Sequence, residues 1–307
     1  MKILCLTPVK HLAGVYEYLE SLGVVDYCPD LNASDFCDLD MKQYNVILCN
    51  PNKQNYYLDE SLLDKFQGKL ITASTGVNHI DIQYCSRVGI DVISNAKDYA
   101  LLNELPSTAE LAFGLILSLL RNIPSSFDSV KQGQWNYEDH IGNQLYEKTV
   151  GIIGYGRLGK MMSNYCSAFG ANVNLYDPYE GYSDLKSLLI NSDIVTLHVH
   201  STHETINMID DDFIKSMKEG SILINTSRGE IVDEDSILYH LKTGHLAGYG
   251  ADVISDEYGN RNNSPILSEI NSKLNLIITP HIGGMTFEGQ RKAYIWTIDK
   301  LKEICND

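Results

Sequence analysis

Short apolar runs alternate with amphipathic stretches along the whole chain. MKILCLT, NVILC, KLITAS and DVISN (residues 91–95) form a first strand-like series, with helix-like segments such as 58–66 and 79–87 between some of them. KTVGIIGY, NVNLY, DIVTLHV, SILINTS, HLAGYGADV and LNLIITP form a second. Most are continuous runs of Val, Ile and Leu rather than strict apolar–polar alternations, the pattern of strands covered on both faces. Such runs interleaved with helices predict parallel sheets, and two series predict two α/β domains, each doubly wound.

Between the series lies PSTAELAFGLILSLLRNIP, residues 106–124, where Pro106 and Ser107 suit a helix start and Pro124 suits its end. From Leu111 to Leu120 the segment has almost no polar face. A helix that is apolar all round must be buried all round, here expected between domains and against a second subunit, with a central helix of one domain as the alternative. The amphipathic final stretch, 286–306, is expected to cross back onto the first domain.

Composition narrows the classes. A chain of 307 residues has room for two domains, and 44% apolar with 21% charged residues is ordinary for a globular protein with a real core. The net charge of −16, without a block of Lys and Arg, argues against nucleic acid or an anionic membrane as partner. It also means that an anionic substrate needs a local positive site. The seven cysteines are odd in number, form no CxxC pair and several sit inside apolar runs, which suits reduced, structural thiols of a cytoplasmic protein. MKILCLTPVK is broken by Pro8 and Lys10 too early for a signal peptide, and the apolar stretch 111–120 is shorter than the roughly 20 residues that span a bilayer.

The first candidate chemistry is in KTVGIIGYGRLGKMM. Gly154, Gly156 and Gly159 stand in GxGxxG spacing between a strand-like run and a helix-like one, and the next strand-like run, NVNLY, ends at Asp177. That is the full context of a dinucleotide site. Gly154 makes the turn, Gly156 admits the pyrophosphate, Gly159 packs helix on strand, and the helix N-terminus supplies amide donors. Arg157 adds a positive charge there. Asp177 can accept both ribose hydroxyls and would repel a 2′-phosphate, so NAD is expected over NADP.

Three further residues follow strand-like runs. Arg228 in NTSRGEIVDE follows SILIN, Glu257 follows DVISD, and His281 in ITPHIGG follows LNLII. Each is expected at the carboxyl edge of a parallel sheet, where α/β folds bind ligands. A guanidinium there can hold a carboxylate bidentately, and a histidine beside a carboxylate suits acid–base work on a carbonyl oxygen. A histidine that merely ends a strand is the bland alternative for His281. His198 and His200 in HVHSTH alternate onto one face, but a metal centre would need further ligands, and none is expected.

GYGRLG with Asp177, SRGEIVDE, ADV followed by Glu257, and TPHIGG together resemble the D-isomer-specific 2-hydroxyacid dehydrogenase family, in the family's order from about residue 70 to 290. The resemblance implies a flavodoxin-like substrate domain (1–98 and 287–307) into which a Rossmann NAD domain (99–286) is inserted, with a cleft between them. It implies that Arg228 orients the substrate, that His281 is the acid/base and that Glu257 pairs with it. ASTGVNHID resembles the loop whose amides, at Thr75 and Gly76, hold the substrate carboxylate. GYGRLG brings Leu158 into the cofactor set with Arg157, and Thr226, Ser227, Asp252, Gly283 and Gly284 match positions bordering the nicotinamide half. Trp135 matches a family position and is expected to pack.

The expected activity is interconversion of a 2-oxo acid and a D-2-hydroxy acid with NAD, by a cytoplasmic homodimer acting on a small molecule. An NAD(H)-sensing corepressor-like binding protein and a 3-phosphoglycerate dehydrogenase are the alternatives. Against phosphoglycerate, NPNKQ offers only Lys53 where phosphoglycerate enzymes carry arginines. The loop KDYALLNELPSTA is longer than the family's usual version, and no C-terminal regulatory domain is expected.

Overall fold

The computed structural model describes residues 1–51, 56–257 and 261–306. The backbone divides into two compact units, Met1–Leu105 with Met285–Asp307, and Pro106–Gly284.

In the first unit, β1 (Lys2–Cys5), β2 (Val24–Tyr27), β3 (Val46–Cys49), β4 (Lys69–Thr72) and β5 (Asp91–Ile93) form one parallel sheet in the order β2-β1-β3-β4-β5. This is the flavodoxin-like order, with its reversal point between β1 and β3. VILC of β3 is buried at every position, as a central strand between two helical layers must be. The helices are α1 (Val15–Glu20), α2 (Glu60–Leu63), α3 (Ile82–Val88) and α4 (Tyr99–Leu102). Asp59 and Asp81 accept backbone amides at the starts of α2 and α3, and Gly89 ends α3 in the left-handed region at φ 79°. Part of the acidic excess is therefore helix capping rather than a binding surface.

The second unit opens with α5 (Ser107–Leu120) and α6 (Ile123–Lys131), and holds β6 (Thr149–Ile153), α7 (Arg157–Ala168), β7 (Asn172–Tyr176), α8 (Leu185–Asn191) and β8 (Ile194–Leu197). It continues through α9 (Asp211–Ser216), β9 (Ser221–Asn225), α10 (Glu234–Thr243), β10 (Leu246–Ala251), α11 (Pro265–Ser268) and β11 (Leu276–Ile278). Its parallel strands lie in the order β7-β6-β8-β9-β10-β11, with the reversal between β6 and β8. The six-stranded dinucleotide order carries another strand outside the one that follows the glycine turn. Here β7 is the edge: a short 3₁₀ turn at Pro178–Glu180 and a single bridge from Asp177 to Tyr182 lead directly toward α8. The segment DPYEGYSD has no apolar run to make a strand. The chain returns to the first unit as α12 (Phe287–Asn306), which packs on α1, β4 and α4.

Two expectations change. Pro124 does not end the apolar helix. α5 stops before Asn122, whose φ of 53° breaks it, and Pro124 then sits in the first turn of α6, where its missing N–H costs nothing. The apolar α5 packs within its own unit against α7, β9, β10 and β11, which bury Ala112, Leu115, Ile116, Leu119 and Leu120 and leave Leu111, Phe113 and Leu117 partly exposed. Residues 99–105 and 285–286, expected in the NAD domain, fall in the first unit. Part of the long loop coils into α4, buries Leu101 and Leu102, and is tied to α12 by Lys300–Asp98 at 2.8 Å and by Lys292–Glu104.

Candidate active site

The glycine turn follows β6. A Cβ on Gly154, whose φ is 93°, would lie 2.5 Å from the carbonyl oxygen of His198, and one on Gly159 would lie 2.0 Å from that of Gly154. Both positions exclude a side chain by backbone contact. Gly156, at the N-cap of α7, has open space around its absent Cβ. Two glycines thus close the turn and one leaves its mouth clear for a ligand at the helix N-terminus. Arg157 is half-buried in the first turn of α7, where burial lowers its pKa from the ordinary value, and Leu158 packs into the core under α5. Asp177 sits at the tip of β7, and its carboxylate accepts the amides of Tyr155 at 2.8 Å and Tyr179 at 3.1 Å. The acid is thereby fixed beside the glycine turn.

Two buried polar atoms at this edge have no hydrogen-bond partner among the described residues: the Thr226 hydroxyl after β9 and Nδ1 of His198 after β8. Buried polar atoms are normally paired, so these fit a ligand that carries hydrogen-bonding groups. Ser227 by contrast is committed, its hydroxyl donating to the Leu197 carbonyl at 2.8 Å.

After β9, Arg228 is half-buried in extended conformation, with Nη1 donating to the Ser227 carbonyl at 2.7 Å. After β11, His281 takes φ 55°, a left-handed conformation that a residue with a Cβ adopts only when its surroundings impose it. Asp252, at the end of β10, imposes it. Its carbonyl accepts the His281 amide at 3.0 Å, and its carboxylate accepts the Thr279 hydroxyl at 2.5 Å and the amides of Ile282 at 2.8 Å and Gly283 at 2.7 Å. Burial raises the pKa of the Asp252 carboxyl, which these bonds offset in part. A Cβ on Gly283 would lie 2.9 Å from that carboxylate, whereas Gly284 is open. The turn so held brings Nδ1 of His281 within 2.5 Å of Oε1 of Glu257, a residue 24 positions earlier. The carboxylate can only accept, so Nδ1–H donates to it.

Residues 113–283 match the family model described as D-isomer specific 2-hydroxyacid dehydrogenase, NAD binding domain. The chain belongs to this family. It is an NAD-dependent oxidoreductase, and NAD is its cofactor. Among its relatives, the hydroxypyruvate reductase of Thermotoga maritima is 35% identical over 244 residues, which cover 76% of either chain. The D-3-phosphoglycerate dehydrogenase of Methanocaldococcus jannaschii is 31% identical over 317 residues, 99% of this chain but 57% of that protein. The D-lactate dehydrogenase of Aquifex aeolicus, solved with NAD and lactic acid, superposes with a TM-score of 0.80 at 29% identity, over 100% of this chain and 96% of that one.

Within this dehydrogenase the other expected residues lie as follows. Thr75 and Gly76 are in the first unit, in the loop after β4, where the Ser74 hydroxyl donates to the Gly76 carbonyl at 2.5 Å. Lys53 lies outside the described residues. Trp135, expected to pack, is 91% exposed. His198 Nε2 lies 3.0 Å from the Thr196 hydroxyl, and among the described residues no three His, Cys, Asp or Glu side chains are grouped to hold a metal ion. Also among the described residues, no helix is long and apolar enough to cross a membrane. The sequence reading placed Asp252 beside the nicotinamide half but missed its hold on the His281 turn, which no local spacing signals.

Proposed function

We propose that this dehydrogenase interconverts a small 2-oxo acid and the corresponding D-2-hydroxy acid, with His281 as acid/base, Glu257 as its partner and Arg228 as the clamp on the substrate. The observation that carries the reading is the 2.5 Å His281–Glu257 pair at the sheet edge that also holds the glycine turn. The cofactor would be held by Gly154, Gly156, Arg157, Leu158, Gly159 and Asp177, with Thr226, Ser227, Asp252, Gly283 and Gly284 toward its nicotinamide, and when bound it supplies the hydride acceptor or donor. The chain's own residues do the rest. In oxidation Nε2 of His281 removes the hydroxyl proton while Glu257 stabilises the imidazolium that forms, and in reduction the same nitrogen returns the proton to the carbonyl oxygen. The Arg228 guanidinium supplies the positive charge that an acidic protein needs to hold a carboxylate, and the amides of Thr75 and Gly76 are the proposed further donors to it.

A phosphate-free substrate is favoured, because Asn50–Gln54 contains one cation, Lys53. Homodimerisation is supported by a run of exposed apolar residues in and after α6: Ile123, Phe127, Val130, Trp135, Tyr137 and Ile141. Cys5, Cys49, Cys85 and Cys166 are buried in the core, which suits structural thiols in a cytoplasmic setting. The test is NADH oxidation over a panel of 2-oxo acids that includes hydroxypyruvate, glyoxylate, pyruvate and phosphohydroxypyruvate, repeated with NADPH. Turnover of at least one acid with NADH, preferred over NADPH by about tenfold or more as Asp177 requires, supports the reading. NAD(H) binding without turnover of any of them would leave a binding protein.

A further inference from the structure

We infer that Glu234, in the first turn of α10, is a positioning residue for the acid/base pair, holding the loop that presents Glu257. This rests on the reading of Glu257 and His281 given above. Glu234 is only 5% exposed, although it carries a carboxylate on a helix of otherwise half-polar character. Its Oε1 accepts the backbone amide of Ser255 at 2.7 Å, and its Oε2 accepts the hydroxyl of Ser264 at 2.6 Å. These two anchors bracket Glu257, one just before it and one after it.

The bracketed segment needs such a hold. Asp256, immediately before Glu257, has φ 53°, a left-handed conformation that the free chain does not favour. Within the bracket the Arg261 guanidinium donates to the Glu257 carbonyl at 2.8 Å. Ahead of it the chain presses on the turn after Arg228, where a Cβ on Gly229 would lie 1.9 Å from the Ile254 carbonyl oxygen. Ile254 is thus seated against the Arg228 turn, and Ser255 and Ser264 are both tied back to α10 by one carboxylate. Burying a carboxylate costs free energy unless both oxygens are satisfied, and here the two bonds that satisfy it are the two that fix the loop. A hydrophobic residue at this position could fill the space but could tie neither anchor.

The role is positional, so its readout is coupling to Glu257. Glu234→Ala should lower kcat with the best 2-oxo acid about tenfold to a hundredfold while the KM for NADH stays within about twofold. Glu234→Gln should recover most of the loss, since its amide oxygen can accept the Ser255 amide and its NH₂ can donate to a rotated Ser264 hydroxyl. In a Glu257→Gln background, Glu234→Ala should cost less than about threefold, because the group it positions has already lost its charge. An equal loss in both backgrounds would overturn the inference while leaving the acid/base reading intact. If Glu257→Gln itself costs nothing, both fall together. Thermal melts of each variant control for folding. Should the alanine variant fail to fold, Glu234→Asp, too short to reach both anchors, takes its place in the same cycle with the same outcomes.

Discussion

Replacing Glu257 by glutamine isolates what its charge does for the reaction. The side chain keeps its shape and an acceptor oxygen, and it loses only the negative charge 2.5 Å from Nδ1 of His281. Both side chains are largely sheltered, at 29% and 17% exposure, so solvent does not screen the interaction away. A hydrogen bond to a charged partner contributes about 1.5–3 kcal/mol net in such a setting. During oxidation of the hydroxy acid the imidazole starts neutral and gains a proton as the barrier is crossed, so this stabilisation is realised mainly in the transition state. At about 1.4 kcal/mol per decade, its loss predicts an oxidative kcat some 10- to 150-fold lower, with little change in the KM for NAD. The assay is the initial rate of NADH formation at neutral pH with the D-2-hydroxy acid of the best substrate pair, parent against variant, with melts to confirm folding. A change of less than about threefold would refute the reasoning, because the pair would then be structural and the proton would move elsewhere.

Acid stability gives a second test. Burial pulls the pKa of His79, in the first unit, from its ordinary 6.5 to about 4, and its Nδ1 has no partner among the described residues. Above 6.5 neither the folded nor the unfolded chain carries the proton; between 6.5 and 4 the unfolded chain takes it up first, so stability falls as pH falls. The loss from His79 should approach about 3 kcal/mol at pH 4. His198, which burial also pulls to about 4, keeps its own loss in His79→Gln, so denaturant melts should show the parent losing about 3 kcal/mol more than the variant across that window. A third concerns assembly: light scattering of the parent at micromolar concentration should give a dimer mass, and Phe127→Asp with Trp135→Asp should give a monomer. A parent that is already monomeric would remove the meaning assigned to the exposed apolar residues.

Much of this protein was legible in one dimension. Period and continuity of the apolar runs located ten of the eleven strands described, because a strand buried on both faces leaves no room for polar residues. The exception is β2, whose VVDY is half-exposed at the sheet edge and carries no such run. The glycine turn and Asp177 were legible for a similar reason: Gly154 and Gly159 are forced by backbone atoms within a few residues or on the neighbouring strand, so the constraint is written in local spacing. Arg228, Glu257 and His281 could be placed at strand ends by the same patterning.

What the tertiary structure decided are the relations between those ends. The 23 residues between Glu257 and His281 carry no signal that their side chains meet at 2.5 Å; that follows from β10 and β11 lying side by side in parallel register and from Asp252 bending the chain at His281 into a left-handed turn. In the sequence Glu234 is only one letter of SRGEIVDE, and only folding shows it buried with a serine anchor on either side of Glu257. Trp135, which matches a family position and is expected to pack, stands 91% exposed on the single chain. The loop before Pro106 coiled into α4 because α12, nearly two hundred residues later, offers Lys292 and Lys300 to its acids. Local chemistry fixes which residues can act, whereas strand register and long-range packing fix which of them act together.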